Sequence, residues 1–340
     1  MALVVEGGRM AEKRVVVIGA SKGGVHALVQ LCRQLPADFG APICVVLHIG
    51  SHRSHLPEIL SAAGVLPAMH PQDGQRLEVG RVFVAPPDHH MRIEGEVVRL
   101  LRGPKEHHSR PAIDPLFRSA AVSFGAGVIG VVLTGLLDDG TPGMQAIKEV
   151  GGTCVIQDPA EAEESSMPLS VATYVQVDHQ VGLDAMVPLL VKLIAEQPER
   201  HELMFTSNRT HHEEAISLGI GDAVEHLRAI AKPSTFSCPD CNGTLWEVSK
   251  TAPARYRCHT GHAFTLESLR SAHSSATDEA LWAAIRALQE KRELTLIARD
   301  VAAAAGHAER SRHLERRALE LDTQANQLRS LVASVDETDG

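Results

Sequence analysis

The chain lacks a basic excess: 33 Lys and Arg stand against 42 Asp and Glu, a formal net charge of −9, which gives it no general attraction for nucleic acid or anionic lipid. It also lacks a long apolar run. The opening "MALVVEGGRM" has no basic start followed by an apolar stretch, and "GAGVIGVVLTGLL" is too short and too rich in glycine to span a bilayer. A cytoplasmic protein without membrane insertion and without a nucleic-acid partner is expected. Tyrosine is scarce, with two in 340 residues, and neither begins a Tyr-x-x-x-Lys catalytic pair: Asp178 follows Tyr174 and Thr260 follows Tyr256 at that spacing. A disulfide framework is equally unexpected. Of six cysteines, Cys32, Cys44 and Cys154 sit singly in apolar surroundings and read as reduced core residues, while Cys238, Cys241 and Cys258 cluster with histidines nearby.

What is present is a sizeable core, 44% of the residues being hydrophobic, enough for two or three domains. Short β-branched runs, "RVVVIGA", "PICVVLH", "RVFVAP", "GVIGVVLTG", "GTCVIQ" and "TYVQV", alternate with helical patterns from Arg14 to about Leu193. Runs apolar throughout suit strands buried on both faces, so the spacing predicts an open, doubly wound, mainly parallel α/β sheet. Between "RVFVAP" and "GVIGVV" a β-hairpin, a loop and a helix starting near Ala112 are expected. Residues 196–232 are polar and read as a linker with one or two marginal helices. The end of the chain reads as a long helical stretch from about Ala276, broken into an α-helical hairpin at "AAAAGHAE". Its seam of Leu314, Ala318, Leu321, Ala325, Leu328 and Val332 serves either packing within the chain or self-association.

The first strand runs into Gly19-Ala20-Ser21-Lys22-Gly23. A P-loop needs its lysine after the second glycine, whereas Lys22 precedes it, and the dinucleotide reading loses its proton donor with the missing tyrosine. The turn does fit Gly-x-Ser-x-Gly, which exposes a serine hydroxyl at a sharp strand-to-helix turn. A serine nucleophile needs a base and a group to orient it. The second strand ends on His48, and "TGLLDDGTPG" places Asp138 and Asp139 beyond a third, so the candidates meet where open parallel sheets bind ligands. His179 offers the other histidine, in the chain order of an α/β-hydrolase, but Ser21 follows the first strand, and His48 with Asp139 is the better pairing.

"IGASKGG", "LHIGSH", "FVAPPDHHM", "SRPAIDPLFRS", "LTGLLDDGTPGM" and "SSMPLSVA" together resemble the catalytic domain of the CheB-type protein-glutamate methylesterases, over roughly Arg14 to Leu193. The resemblance puts the nucleophile on Ser21, the histidine on His48 and the aspartate on Asp139. It implies hydrolysis of glutamate γ-methyl esters on a chemoreceptor-like protein with release of methanol, and glutamine deamidation as a second activity, without a catalytic cofactor. Three features depart from it: Lys22 replaces a usual threonine, Leu137 replaces a usual glycine, and only about a dozen residues stand where relatives carry a receiver domain. Control is then expected from a regulatory protein or from the carboxyl-terminal region. Arg110 and its "HHSRP" neighbourhood are either a substrate contact or a solvated loop. The rival reading is a degenerate esterase domain kept for binding, or an esterase of unrelated substrate.

"CPDC" and "CHTGH" give Cys-x2-Cys, sixteen residues, then Cys-x3-His, the spacing of two knuckles closing a structural Zn²⁺ site. Cys238, Cys241, Cys258 and His262 are the expected ligands, with His259 the alternative fourth. Lys232, Lys250, Arg255 and Arg257 are too few to make this zinc-ribbon-like module a nucleic-acid reader. The expected order is a catalytic domain at 1–195, the linker at 196–232, a zinc module at 233–266 and the helical hairpin at 267–340.

Overall fold

The structure, a computed structural model, describes residues 13–49, 53–196, 207–248 and 251–335. The first twelve residues, Gly50-Ser51-His52 of "LHIGSH", residues 197–206 of the presumed linker and Lys250 lie outside them. Contacts divide the chain into one unit at Met1–Leu269 and a second at Arg270–Gly340.

A seven-stranded sheet, parallel throughout, organises the first unit. Its strands are β1 (Val15–Ala20), β2 (Ile43–Leu47), β3 (Ala68–Met69), β4 (Val82–Val84), β7 (Val128–Val132), β8 (Thr153–Gln157) and β9 (His179–Val181), in the order β3-β4-β2-β1-β7-β8-β9. The antiparallel pair β5 (His90–Glu94) and β6 (Val97–Leu101) forms the expected hairpin between β4 and β7. Alternate residues of β1 feed opposite cores. Val15 and Val17 join the core that contains α3 (Ile113–Phe124), α4 (Thr141–Glu149) and α5 (Ser166–Tyr174). Val16 and Ile18 join the one that contains α1 (Gly24–Gln34), α2 (Leu56–Ala63) and α6 (Leu183–Ala195). A strand buried on both faces needs no polar alternation, which is why these runs are apolar throughout. Burial also pushes the thiol of Cys32 up to about 11 and that of Cys154 to about 12, so both stay protonated and inert.

"TYVQV" departs from expectation. Tyr174 ends α5, and the strand follows at His179–Val181, whose residues are partly or fully exposed. A short half-exposed edge strand carries no apolar run to mark it. The polar stretch read as a linker contains α7 (Asn208–Leu218) and α8 (Ala223–Ile230), each opened by a side-chain cap, Ser207 accepting from Thr210 N and Asp222 from Val224 N. Their apolar residues Ile216, Leu227 and Ile230 form a small core with Ala231 and Val248, beside Trp246.

β10 (Ala231–Ser237), β11 (Thr244–Val248), β12 (Arg255–Cys258) and β13 (Ala263–Thr265) form an antiparallel sheet in that order. Buried ion pairs join it to the rest of the unit. Glu106 lies 2.8 Å from Arg118 on α3 and 3.2 Å from Arg257 on β12, while Glu213 on α7 is 3.2 Å from Arg255. Arg118 is also 3.0 Å from Glu214. Arg255 and Arg257 are therefore spent on carboxylates and offer nothing to a phosphate backbone. Removing one partner of such a pair strands a buried charge at about 3–5 kcal/mol.

α9 (Leu266–Ala304) begins ten residues before the expected start near Ala276, and α10 (Ala308–Val335) follows a turn in which Gly306 takes φ 78°. In the second unit Ala318, Leu321, Ala325 and Val332 are buried and Arg292 on α9 is 3.4 Å from Asp322 on α10. No helix among the described residues is long and apolar enough to cross a membrane.

Candidate active site

β1 is the switch point of the sheet, with β2 on one side and β7 on the other, and side chains just past the carboxyl ends of these three strands share one crevice. Ser21 follows β1, His48 follows β2, and Asp139 lies in the loop after β7. Ala20 and Leu47 are partners in the parallel register, so Ser21 and His48 come one step beyond the same rung, and His48 N donates to Ala20 O at 3.3 Å. Ser21 N donates to Thr134 O at 3.0 Å, which ties the serine to the strand that carries the aspartate. The chain then turns through Gly23 at φ 78°, a conformation natural to glycine, and enters α1 at once. Gly135 has to stay small as well, because a Cβ there would lie 2.8 Å from Ser21 Cβ and 2.1 Å from Met167 Sδ.

His48 Nε2 is 2.8 Å from Asp139 Oδ2. The Asp139 carboxylate is buried and takes backbone N–H groups from Ile113 at 2.7 Å and Asp114 at 3.1 Å, which are the first residues of α3. Burial raises its pKa, but the charge of His107, the hydrogen bond and charge of His48 and the Ile113 N–H together outweigh burial and hold it at about 2. Asp139 is thus ionised at neutral pH. With Nε2 engaged there, Nδ1 is the ring nitrogen not bound to Asp139. His179, the other histidine considered, lies on the outer strand β9, two strands beyond β7.

The departures from the family pattern have local answers. Lys22 Nζ is 2.5 Å from Glu164 Oε1, so its charge is compensated beside the turn. Leu137 adopts φ 62°, keeping the left-handed turn that glycine would provide, with its side chain largely exposed. Arg110 is held by Asp88 at 2.6 Å and by Gly103 O at 2.6 Å and is only one-fifth exposed, so it braces its own loop.

Sequence reasoning missed His107. Its Nε2 is 2.8 Å from Asp114 Oδ2 and 3.6 Å from Asp139 Oδ1, fully buried. Burial pulls its pKa down, yet Asp139, Asp114 and Asp138 raise it to about 9, so a buried imidazolium backs the triad carboxylate at neutral pH. Asp114 was missed too. Its Oδ1 accepts from Gly140 N at 3.1 Å and Gly143 N at 2.7 Å. Nothing local signals His107, since "KEHHSRP" has the composition of a surface loop, whereas Asp114 lies within the "SRPAIDPLFRS" block but was given no role there.

Away from this site, Cys238 and Cys241 fall in the turn after β10, Cys258 ends β12 and His262 lies in the turn before β13. Their donor atoms all lie within 4.8 Å of one another. Cys241 Sγ is 3.7 Å from Cys258 Sγ, and His262 Nδ1 is 3.7 Å from Cys238 Sγ and 3.5 Å from Cys258 Sγ. His259 is not in this group and lies near Gly243.

A parallel α/β sheet whose central strands deliver a serine, a histidine and a buried aspartate to one rim has the arrangement of a serine hydrolase. Residues 16–190 match the family model for the CheB methylesterase, and the chain belongs to that family. A "Protein-glutamate methylesterase/protein-glutamine glutaminase 5" of Myxococcus xanthus is 37% identical over 187 residues, 54% of this chain and 54% of that protein. A Leptospira interrogans protein described by the same two activities is 36% identical over 180 residues, 52% of this chain and 93% of its own length. The crystal structure of the Thermotoga maritima CheB methylesterase catalytic domain superposes with a TM-score of 0.51 at 31% identity, covering 53% of this chain and 98% of that one.

Proposed function

We propose that the chain hydrolyses glutamate γ-methyl esters on a chemoreceptor-like protein in the cytoplasm through an acyl-enzyme on Ser21. The observation that carries this is the 2.8 Å contact of His48 with a buried, ionised Asp139 at the rim where Ser21 leaves β1. Ser21 Oγ attacks the ester carbonyl while His48 takes its proton. The same proton then goes to departing methoxide, which leaves as methanol. Asp139 fixes the ring and stabilises the imidazolium without itself being protonated. Water repeats the cycle and frees the glutamate carboxylate and the serine. The tetrahedral oxyanion forms beside the amino-terminal end of α1, where free N–H groups and the helix dipole favour negative charge, each such donor contributing about 2.7–4 kcal/mol to the barrier. Glutamine deamidation uses the same attack with ammonia as the leaving group.

The other part of this reading is a structural Zn²⁺ held by Cys238, Cys241, Cys258 and His262. For bonds of about 2.3 Å to sulfur and 2.0 Å to nitrogen, a tetrahedron has edges of about 3.5–3.8 Å, and the three separations given above, 3.5 to 3.7 Å, match them. Three thiolates and one imidazole leave no open position, so the metal braces two knuckles and takes no part in ester hydrolysis.

A serine-reactive fluorophosphonate together with methanol release from methylated receptors tests the triad. The wild type labels at Ser21 and releases methanol, and Ser21→Ala does neither while keeping its fold. Methanol release by Ser21→Ala would overturn the reading.

A further inference from the structure

α9 opens with a reciprocal pair. Thr265 N donates to Ser268 Oγ at 2.9 Å and Ser268 N donates to Thr265 Oγ1 at 3.2 Å, a capping box with serine in place of the usual glutamate. Such hydroxyls usually serve only their own helix. Here both are buried and both reach into the aspartate loop: Thr265 Oγ1 donates to Asp138 Oδ1 at 2.6 Å, and Ser268 Oγ is 3.2 Å from His107 Nδ1. The backbone N–H of His107 donates to Ala263 O of β13 at 2.8 Å. His107 itself takes φ 51°, a left-handed conformation uncommon outside glycine.

We propose that the carboxyl-terminal module is a built-in part of the esterase centre, in which Thr265, Ser268 and His107 are positioning residues for the turn that presents Asp139 to His48. Two routes lead from the module to the carboxylate. Thr265 pins Asp138, the residue immediately before it in the chain. Ser268 accepts Nδ1–H of His107, which leaves Nε2–H for Asp114 and brings the cationic ring 3.6 Å from Asp139 Oδ1. Asp114 in turn gives its own N–H to that same Oδ1. A module that merely docked would need none of these hydroxyls, because the Glu106–Arg118–Arg257 ion pairs already join the parts. The inference rests on the triad reading above.

A positioning role has a signature that a docking role lacks. The charged groups around His107 are Asp114 and Arg118 from α3, Asp138 and Asp139 from the loop after β7, the Glu106–Arg257 pair, and Glu213 of α7 with Arg255 of β12. Replacing the cation by a neutral amide leaves Asp139 more negative in its effect on His48. Loss of that charge beside Asp139 is expected to move the acid limb of the reaction to higher pH.

The test is the rate of fluorophosphonate labelling at Ser21 against pH, in the full-length, metal-replete chain. Thr265→Val, which removes one hydrogen bond to a charged group, is expected to label about tenfold more slowly or worse at unchanged metal content and circular dichroism, with Thr265→Ser restoring the rate. His107→Gln is expected to raise the acid limb by about half a pH unit or more. Should Thr265→Val fail to fold, Ser268→Ala is judged by the same rate criterion. Variants that label like the wild type, or a His107→Gln profile that does not move, overturn the proposal and leave the triad standing. A wild type that does not label Ser21 overturns the triad reading and this inference with it.

Discussion

Asp139 and Asp114 close each other's helices: Asp139 accepts the Ile113 and Asp114 N–H groups that open α3, and Asp114 accepts the Gly140 and Gly143 N–H groups that open α4. Neither helix has a side-chain cap of its own at that end. The loop that carries the triad aspartate is therefore fastened by the same carboxylate that orients His48. Asp139→Asn leaves a single oxygen for three donors and sets an NH2 group against one of them. Ester hydrolysis is expected to fall about 10³–10⁴-fold, with about 1–3 kcal/mol of stability lost. Methanol release and thermal denaturation, measured on the same preparation, check this; activity within tenfold of wild type contradicts it.

The two buried groups that face each other set opposite edges of the stability profile. Asp139 is held at about 2, below its unfolded value, so its contribution is present above about pH 4 and is lost as pH falls toward 2. His107 is raised to about 9, so its contribution is complete below its unfolded value near 6.5 and is lost as pH rises through 9. The attraction between them is one interaction, and the contributions are not summed. Thermal unfolding midpoints are expected to be highest between about pH 4 and 6.5 and to decline on the alkaline side. His107→Gln is expected to flatten that alkaline decline, and an unchanged slope would show that another group causes it.

Leu137 keeps φ 62° where the resemblance leads one to expect glycine. A leucine in that conformation costs about 1–2 kcal/mol, while glycine loses more chain entropy on folding by about 0.5–1 kcal/mol. Leu137→Gly is thus expected to shift stability by about 0–1.5 kcal/mol in the stabilising direction, with hydrolysis within about threefold of wild type. Urea unfolding and methanol release measure both. A much larger loss of hydrolysis would mean that the exposed leucine touches the substrate protein.

The placement of Ser21, His48 and Asp139 at one rim was legible because each terminates or follows a run of residues buried on both faces, and such runs announce themselves by composition alone. β9 escaped because a half-exposed edge strand has no such run. α7 looked marginal for a related reason: Glu213 and Glu214 on it are buried against Arg255 and Arg118, so part of its inner face is made of charges and carries no apolar stripe. His107 was invisible for a different one. What buries it arrives about 160 residues later, in Ala263 and Ser268, and a contact at that separation leaves no trace in the sequence around "EHHS".

The metal site yields the remaining prediction. Leu245, Val248, Tyr256 and Phe264 are the large buried side chains of the four-stranded module, few for a core of its own, so a metal brace is expected to add to its ion pairs with Glu106 and Glu213. Structural zinc in comparable small modules contributes about 10–16 kcal/mol, which makes metal loss and unfolding one event. The purified chain is expected to carry one equivalent of zinc, and Co²⁺ exchanged into the site to give the visible bands of tetrahedral thiolate coordination. His262→Ala and Cys258→Ser are expected to abolish those bands, and His259→Ala to leave them intact, because His259 lies outside the donor cluster. Retention of the bands in His262→Ala would reassign the fourth ligand. Since β13 and Thr265 follow the second knuckle directly, stripping the metal is also expected to slow labelling of Ser21, and a stripped chain that labels at the wild-type rate would separate the zinc site from the esterase.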